Sequence, residues 1–190
     1  MSDFVEDYVT GIRRCLSEIN KTEVETVVEA IFDAYKQHRH VFVFGNGGSA
    51  TTATHFACDL AKGTIVDGKE RLSAISLTDN IALMTAIAND ISYSSVFKEQ
   101  LINLLNKGDV VIGISASGNS PNVLEAIGYA KAKGAMTVGI CGFGGGKLST
   151  LADKAIIFSA RDYRQVEDAQ MILTHLISLG VRQRIEVNSE

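Results

Sequence analysis

The stretch Val41–Leu60, VFVFGNGGSATTATHFACDL, decides the fold. Its first four residues are apolar without alternation. A run that short, with no polar face, reads as a strand buried on both sides, as in a parallel sheet covered by helices above and below. Gly45-Asn46-Gly47-Gly48-Ser49 follows as a polar turn, and residues 48–62 continue at helical spacing, carrying His55 and Asp59. Strand, glycine turn and helix in succession begin a β–α–β pattern.

The same alternation extends outward. DVVIGIS (Asp109–Ser115) is a β-branched run too short for a helix, and it leads into SASGNS (Ser115–Ser120). Pro121 fits the first turn of a helix capped by Ser120, and Lys133-Gly134 is a glycine stop for that helix. RLSAISL, MTVGIC and KAIIFS bring the strands to five. Residues 3–38 read as two helices, the second capped by Asn20 or Thr22 and striped by Val24, Val27, Val28, Ile31 and Phe32. A helix capped by Thr78 or Asp79 runs to about Ala88, another capped by Ser94 or Ser95 ends near Lys107-Gly108, and residues 163–186 form a long last helix. The expected fold is α/β: a three-layer α/β/α sandwich around a five-stranded parallel sheet in flavodoxin-like order. It is read as a single domain, 1–190, with N-terminal helices at 1–38 and an α/β core at 39–190. In such sheets ligands collect at the carboxyl ends of strands, near the point where strand order reverses.

Composition narrows the function. Of 190 residues 46% are hydrophobic and 21% charged, a globular balance, and the net charge of -4 without a basic run disfavours nucleic acid. No apolar run approaches the ~20 residues that span a bilayer, and MSDFVEDYV lacks an apolar signal core. Three scattered cysteines, Cys15, Cys58 and Cys141, suggest free thiols. The expected location is the cytoplasm, with no membrane partner.

Two strand ends carry the chemistry. Glycines at 45, 47 and 48 let backbone N–H groups approach an anion, and the helix that follows adds a favourable dipole. In the second loop Ser115, Ser117 and Ser120 add hydroxyl donors. One such loop alone is as well explained by turns and caps; two together point to a phosphate. Neither matches the P-loop or the Rossmann glycine pattern, so no nucleotide cofactor is expected.

His55 and Asp59, at i and i+4, share a helix face. They read as half of a divalent metal site, as an acid–base pair, or as a plain surface contact. Glu167 and His175, eight residues apart, lie on one side of the last helix but ~12 Å apart along its axis. Unless their side chains converge on a site between them, His175 reads as a buried, hydrogen-bonded residue. His38 and His40 read as solvent-facing, Lys62, Arg161 and Arg164 as surface charges, and GFGGGK (Gly142–Lys147) as a plain flexible loop.

In order along the chain, GNGGS, HFACDL, ISASGNS and VEDAQMILTH resemble the sugar isomerase (SIS) family, and most of all its phosphoheptose isomerase branch. The resemblance covers nearly the whole chain. It implies interconversion of sedoheptulose 7-phosphate and D-glycero-D-manno-heptose 7-phosphate through an enediol. It implies a substrate site at Asn46, Gly47, Gly48, Ser49, Asp59, Asn89, Asp90, Ser115, Ala116, Ser117, Ser120 and Glu167, with the serines on the phosphate. It implies zinc, one per subunit, on His55, Asp59, Glu167 and His175. Asp59 resembles the family's base and His175 its acid, with Glu167 the other candidate base. It also implies a homotetramer with sites at subunit boundaries, where the late helix can meet another helix's ligands.

Four positions depart from the family pattern: Asp59 stands for glutamate, Glu167 for glutamine, Ala116 for threonine, and Gly63 beside Lys62 for arginine. The departures leave open an isomerase for a related eight-carbon ketose phosphate. MTAIAND (Met84–Asp90) is similar to relatives that bind the DnaA replication initiator, which leaves open a non-catalytic module that binds that protein or senses sugar phosphates.

Overall fold

In the computed structural model, which describes residues 3–188, five parallel strands form one sheet in the order β2-β1-β3-β4-β5. They are β1 (His40–Gly45), β2 (Ser73–Ser76), β3 (Val110–Ser115), β4 (Met136–Cys141) and β5 (Lys154–Ile157). This is the expected flavodoxin-like order. After β1 the chain adds β2 on one side and returns to place β3 on the other. The carboxyl ends of β1 and β3 therefore flank the switch point, and these are the two ends that carry the glycine and serine loops.

Side-chain alternation along the strands divides the core into two layers. Val41 and Val43 of β1, with Ile112 and Ile114 of β3, pack against α2 (Lys21–Lys36), α3 (Gly48–Cys58) and α8 (Tyr163–Val187). Phe42 and Phe44 face the opposite way, toward α4 (Ile81–Asp90), α5 (Lys98–Leu104), α6 (Pro121–Ala132) and α7 (Leu148–Leu151). Phe44 stacks on Phe97 at 4.8 Å between centroids. Strands apolar on both sides thus produce the sandwich, as their sequence requires. The N-terminal helix α1 (Phe4–Ser17) lies along α8, where the Tyr8 hydroxyl donates to Asp168 Oδ2 at 2.6 Å. That bond, ahead of desolvation, pushes the phenol up to about 12.

Some local expectations hold and others are corrected. Asn20 caps α2, accepting from the backbone N–H groups of Thr22 and Glu23. Asn80, not Thr78 or Asp79, caps α4 by accepting from Leu83 N–H. Thr78 and Asp79 are instead engaged by the Thr54 hydroxyl of α3, at 2.9 and 2.5 Å. Ser94 and Ser95 cap no helix, because Ser92, Ser94 and Ser95 bond to one another around a short 3-10 turn, and α5 starts only at Lys98. Ser120 stands at the α6 N-cap with Pro121 behind it, but its hydroxyl makes no cap bond and lies 3.0 Å from the Ser115 hydroxyl. His38 is exposed and pairs with Glu70 at 2.8 Å, whereas His40 is half-buried with its Nδ1 3.7 Å from buried Asp109. The helix after the first loop changes pitch at Asp59 and runs as a π-helical turn, Asp59–Gly63. Such turns often accompany functional sites. No helix among the described residues is long and apolar enough to cross a membrane.

Candidate functional site

α3 and α8 pack against each other, and both contribute to one core layer, with Ala53 and Phe56 from α3 and Ala169 and Leu173 from α8. That packing brings His175 to His55 and Asp59 within one chain, with no need of a second copy. His55 Nε2 and His175 Nε2 are 2.9 Å apart, and Asp59 Oδ2 lies 3.4 Å from the first and 3.5 Å from the second. His175 is exposed, its side chain 53% accessible, so the reading of it as a buried helix residue is overturned.

This donor set fits a divalent cation. The three atoms form a triangle with edges of 2.9, 3.4 and 3.5 Å. Zn–N and Zn–O bonds of ~2.0–2.2 Å in a tetrahedral site put ligand atoms ~3.3–3.5 Å apart, so both edges to Asp59 match a face of such a site, and the edge between the two imidazoles is about 0.4 Å short of it. The face opens to solvent, leaving room for a further ligand.

A second concavity, of about 210 Å³, lies at the switch point. It is lined by Asn46 and Ser49 from the first loop, Ser115, Ala116, Ser117 and Ser120 from the second, and by Ile114, Phe143 and Glu167. No lysine or arginine among the described residues lines it. An anion there meets hydroxyls, the Asn46 amide and the N-terminus of the 12-residue α6. Lys62, Arg161 and Arg164 are exposed and lie outside this lining.

The loops are built to hold still. Asn46 and Asn122 form a reciprocal amide pair, each Nδ2 donating to the other's Oδ1 at 2.8–2.9 Å. Tyr93 donates to Asn46 Oδ1 at 2.9 Å, and Val123 N–H to Asn122 Oδ1 at 3.0 Å. Both carbonyl oxygens are thus doubly engaged. Asn46 meets a ligand as a donor only. Ser49 is buried and donates to Gln170 Oε1 at 3.4 Å. Gly118, at φ +63°, adopts the left-handed region and lies against the backbone of Gly145, where no side chain would fit. GFGGGK is accordingly no free loop. Gly142 N–H donates to Ala116 O, Lys147 N–H to Asn119 Oδ1 and Leu148 N–H to Gly118 O.

The structure thus brings together His55, Asp59 and His175, and separately Asn46, Ser49, Ser115, Ala116, Ser117, Ser120 and Glu167. Glu167 is outside the two-histidine group. Its carboxylate lies over Gly48, where a Cβ would collide with it, so a glycine at 48 makes its room. Gly47, at φ +55°, supplies the turn into α3. Asn89 and Asp90 are exposed at the end of α4, with Asn89 Nδ2 donating to Asp90 Oδ1 at 2.8 Å, and belong to neither group. Sequence reasoning missed Tyr93, Asn122, Gln170 and Phe143. Only Asn122 carried a signal, as a polar residue directly behind the serine loop and Pro121.

The family model described as "SIS domain" matches residues 7–142. The phosphoheptose isomerase of Helicobacter pylori is 40% identical over 162 residues, covering 85% of this chain and 82% of that protein. The probable phosphoheptose isomerase of Thermoplasma acidophilum is 38% identical over 177 residues, covering 93% and 97%. A solved structure of phosphoheptose isomerase from Neisseria gonorrhoeae superposes with a TM-score of 0.86 at 26% identity, covering 95% of each chain.

Proposed function

The chain belongs to the SIS domain family, and we propose that it is an aldose–ketose isomerase converting sedoheptulose 7-phosphate to D-glycero-D-manno-heptose 7-phosphate. The observation that carries this reading is the pairing of two half-sites. A hydroxyl-lined pocket without cationic side chains sits at one end of α3, and a carboxylate flanked by two imidazoles sits toward the other. Ser49 and His55 are separated by six residues of helix, about 9 Å of rise, a span that a phosphorylated sugar chain covers. The names of the relatives point to the same substrate.

In this reading the phosphate is held by Ser115, Ser117 and Ser120 and by the α6 N-terminus. Asn46 donates from its fixed amide to a substrate oxygen. Asp59 takes the proton from C1, next to the C2 carbonyl, while His175 Nε2 delivers a proton to the C2 oxygen, giving the enediol. Return of a proton to C2 and loss of the O1 proton complete the aldose. Glu167, facing the pocket, is the alternative base. Zinc held by His55, Asp59 and His175 would be the alternative use of these atoms: it would polarise the substrate oxygens and stabilise negative charge developing there in place of proton transfer by His175. Binding a cation and moving a proton through His175 Nε2 are mutually exclusive uses of one atom.

The working form is a cytoplasmic homotetramer. Exposed Ile81, Ile91, Leu176 and Leu179 offer apolar surface for assembly. The test is a coupled turnover assay with sedoheptulose 7-phosphate, run with added zinc and with a chelator. Product formation is expected, and loss of rate with chelator would assign the cluster to the metal. Absence of turnover in both arms, with saturable sugar-phosphate binding, would overturn the catalytic reading.

A further inference from the structure

Phe143 is one of two non-glycine residues among those described with positive φ, at +47°. A phenylalanine in the left-handed region is strained, because its Cβ crowds the following carbonyl oxygen. Its neighbours Gly144, Gly145 and Gly146 all have positive φ and adopt it without cost, so the turn does not itself call for a large side chain at 143. Its packing return is small, since the residue stays 40% exposed and belongs to neither core layer. What Phe143 does is line the pocket of Ser115, Ser117 and Ser120. Its backbone cannot drift away, because the bonds from Gly142, Lys147 and Leu148 clamp the loop to Ala116, Asn119 and Gly118. Backbone strain held by surrounding structure at a ligand cleft is the pattern expected of a working residue.

We propose that Phe143 is a specificity-determining residue: its ring forms the apolar wall of the phosphate pocket, covers the carbon next to the bound phosphate, and so selects phosphate monoesters of polyols over inorganic phosphate. The proposal deepens the sugar-phosphate reading and rests on it. The serines and the α6 N-terminus bind the oxygens common to both anions. Only an ester carries C–H groups for the ring to cover.

The test is calorimetric binding of glycerol 3-phosphate and of inorganic phosphate to the intact protein and to Phe143→Gly and Phe143→Leu, with turnover of sedoheptulose 7-phosphate measured alongside. In Phe143→Gly the ester is expected to bind about 10-fold more weakly, with inorganic phosphate unchanged within about 2-fold. Phe143→Leu, which keeps apolar bulk, should recover most of the loss. The melting temperature of Phe143→Gly should hold or rise by up to about 4 °C as the strain is released. Equal weakening of both anions, or of neither, overturns the proposal, as does a failure of the unaltered protein to bind either anion. Selective loss of the ester in a protein that does not turn over sedoheptulose 7-phosphate would sink the isomerase reading and leave the Phe143 wall standing.

Discussion

His55 and His175, separated by 120 residues, place their Nε2 atoms 2.9 Å apart, with Asp59 Oδ2 within 3.5 Å of both. Neither helix makes this arrangement alone. It exists because α3 and α8 pack against each other, with Ala53 and Ala169 in the same core layer and the Glu167 carboxylate lying directly over Gly48.

From this follows the first prediction. His175 is exposed and supports no core contact, so His175→Ala should leave the melting temperature within about 2 °C of the parent and lower kcat by roughly 10²–10⁴-fold. Zinc titration of the same variant should show at least a 10-fold weaker site, because one of three donors is gone. Retained turnover would remove His175 from the chemistry.

The second prediction concerns Asn122, which is 2% exposed. Asn122→Ala removes the partner of Asn46 and leaves Val123 N–H without its acceptor. Leaving such groups unsatisfied costs ~1–3 kcal/mol, a fall of several degrees in melting temperature. The freed Asn46 amide should also raise KM more than it lowers kcat. Tyr93→Phe removes only the exposed donor to Asn46 Oδ1 and should raise KM by a smaller factor with no change in stability. An unchanged KM in both variants would show that Asn46 needs no orienting.

Much of this architecture was legible in the chain. Doubly apolar strands, glycine stops and Pro121 announce a parallel sheet, since each has a local physical cause. The two loops were legible as an anion site for the same reason. Tyr93 and Gln170 were not, because their roles depend on which loop the tertiary fold sets opposite them. The caps at Thr78, Ser94 and Ser95 were misread because other hydroxyls and carboxylates competed for those side chains. GFGGGK looked like a plain loop because nothing in its composition reveals that Gly118 and Ala116 lie against it.

The third prediction is a pH dependence at the two ends of the scale. Burial would raise the Asp153 carboxyl, but bonds from Thr137 Oγ1, Lys131 and Thr137 N–H outweigh it and hold the group below its ordinary value of 3.8. A depressed carboxyl contributes stability that is present above the unfolded value and lost as pH falls through the lower folded one. Asp153→Asn should therefore cost most near neutrality, and the gap in melting temperature should close below about pH 3.8. Tyr8 has the opposite sign. Its phenol is raised from 10.0 to about 12, so its contribution is intact below pH 10 and fades from there to about 12, and Tyr8→Phe should flatten that alkaline limb. Thermal melts across both windows check each sign, and a gap that widens toward acid for Asp153→Asn would refute the first.

The last prediction separates the two candidate bases. Glu167 lies at the anion pocket, over Gly48 and away from the paired imidazoles, and Asp59 lies between those imidazoles. A carboxylate beside a bound phosphate dianion repels it, and no cationic side chain among the described residues lines that pocket to offset the charge. If Asp59 is the base, Glu167→Gln removes repulsion without removing chemistry, so KM should fall by about 2- to 10-fold while kcat holds. Asp59→Asn should then abolish turnover and weaken zinc binding together. If Glu167 is the base, the pattern reverses: Glu167→Gln loses kcat by several orders of magnitude and Asp59→Asn loses mainly the metal. Steady-state kinetics of the two variants, with phosphate inhibition measured alongside, distinguish these outcomes, because only a charge effect moves phosphate affinity and KM in parallel.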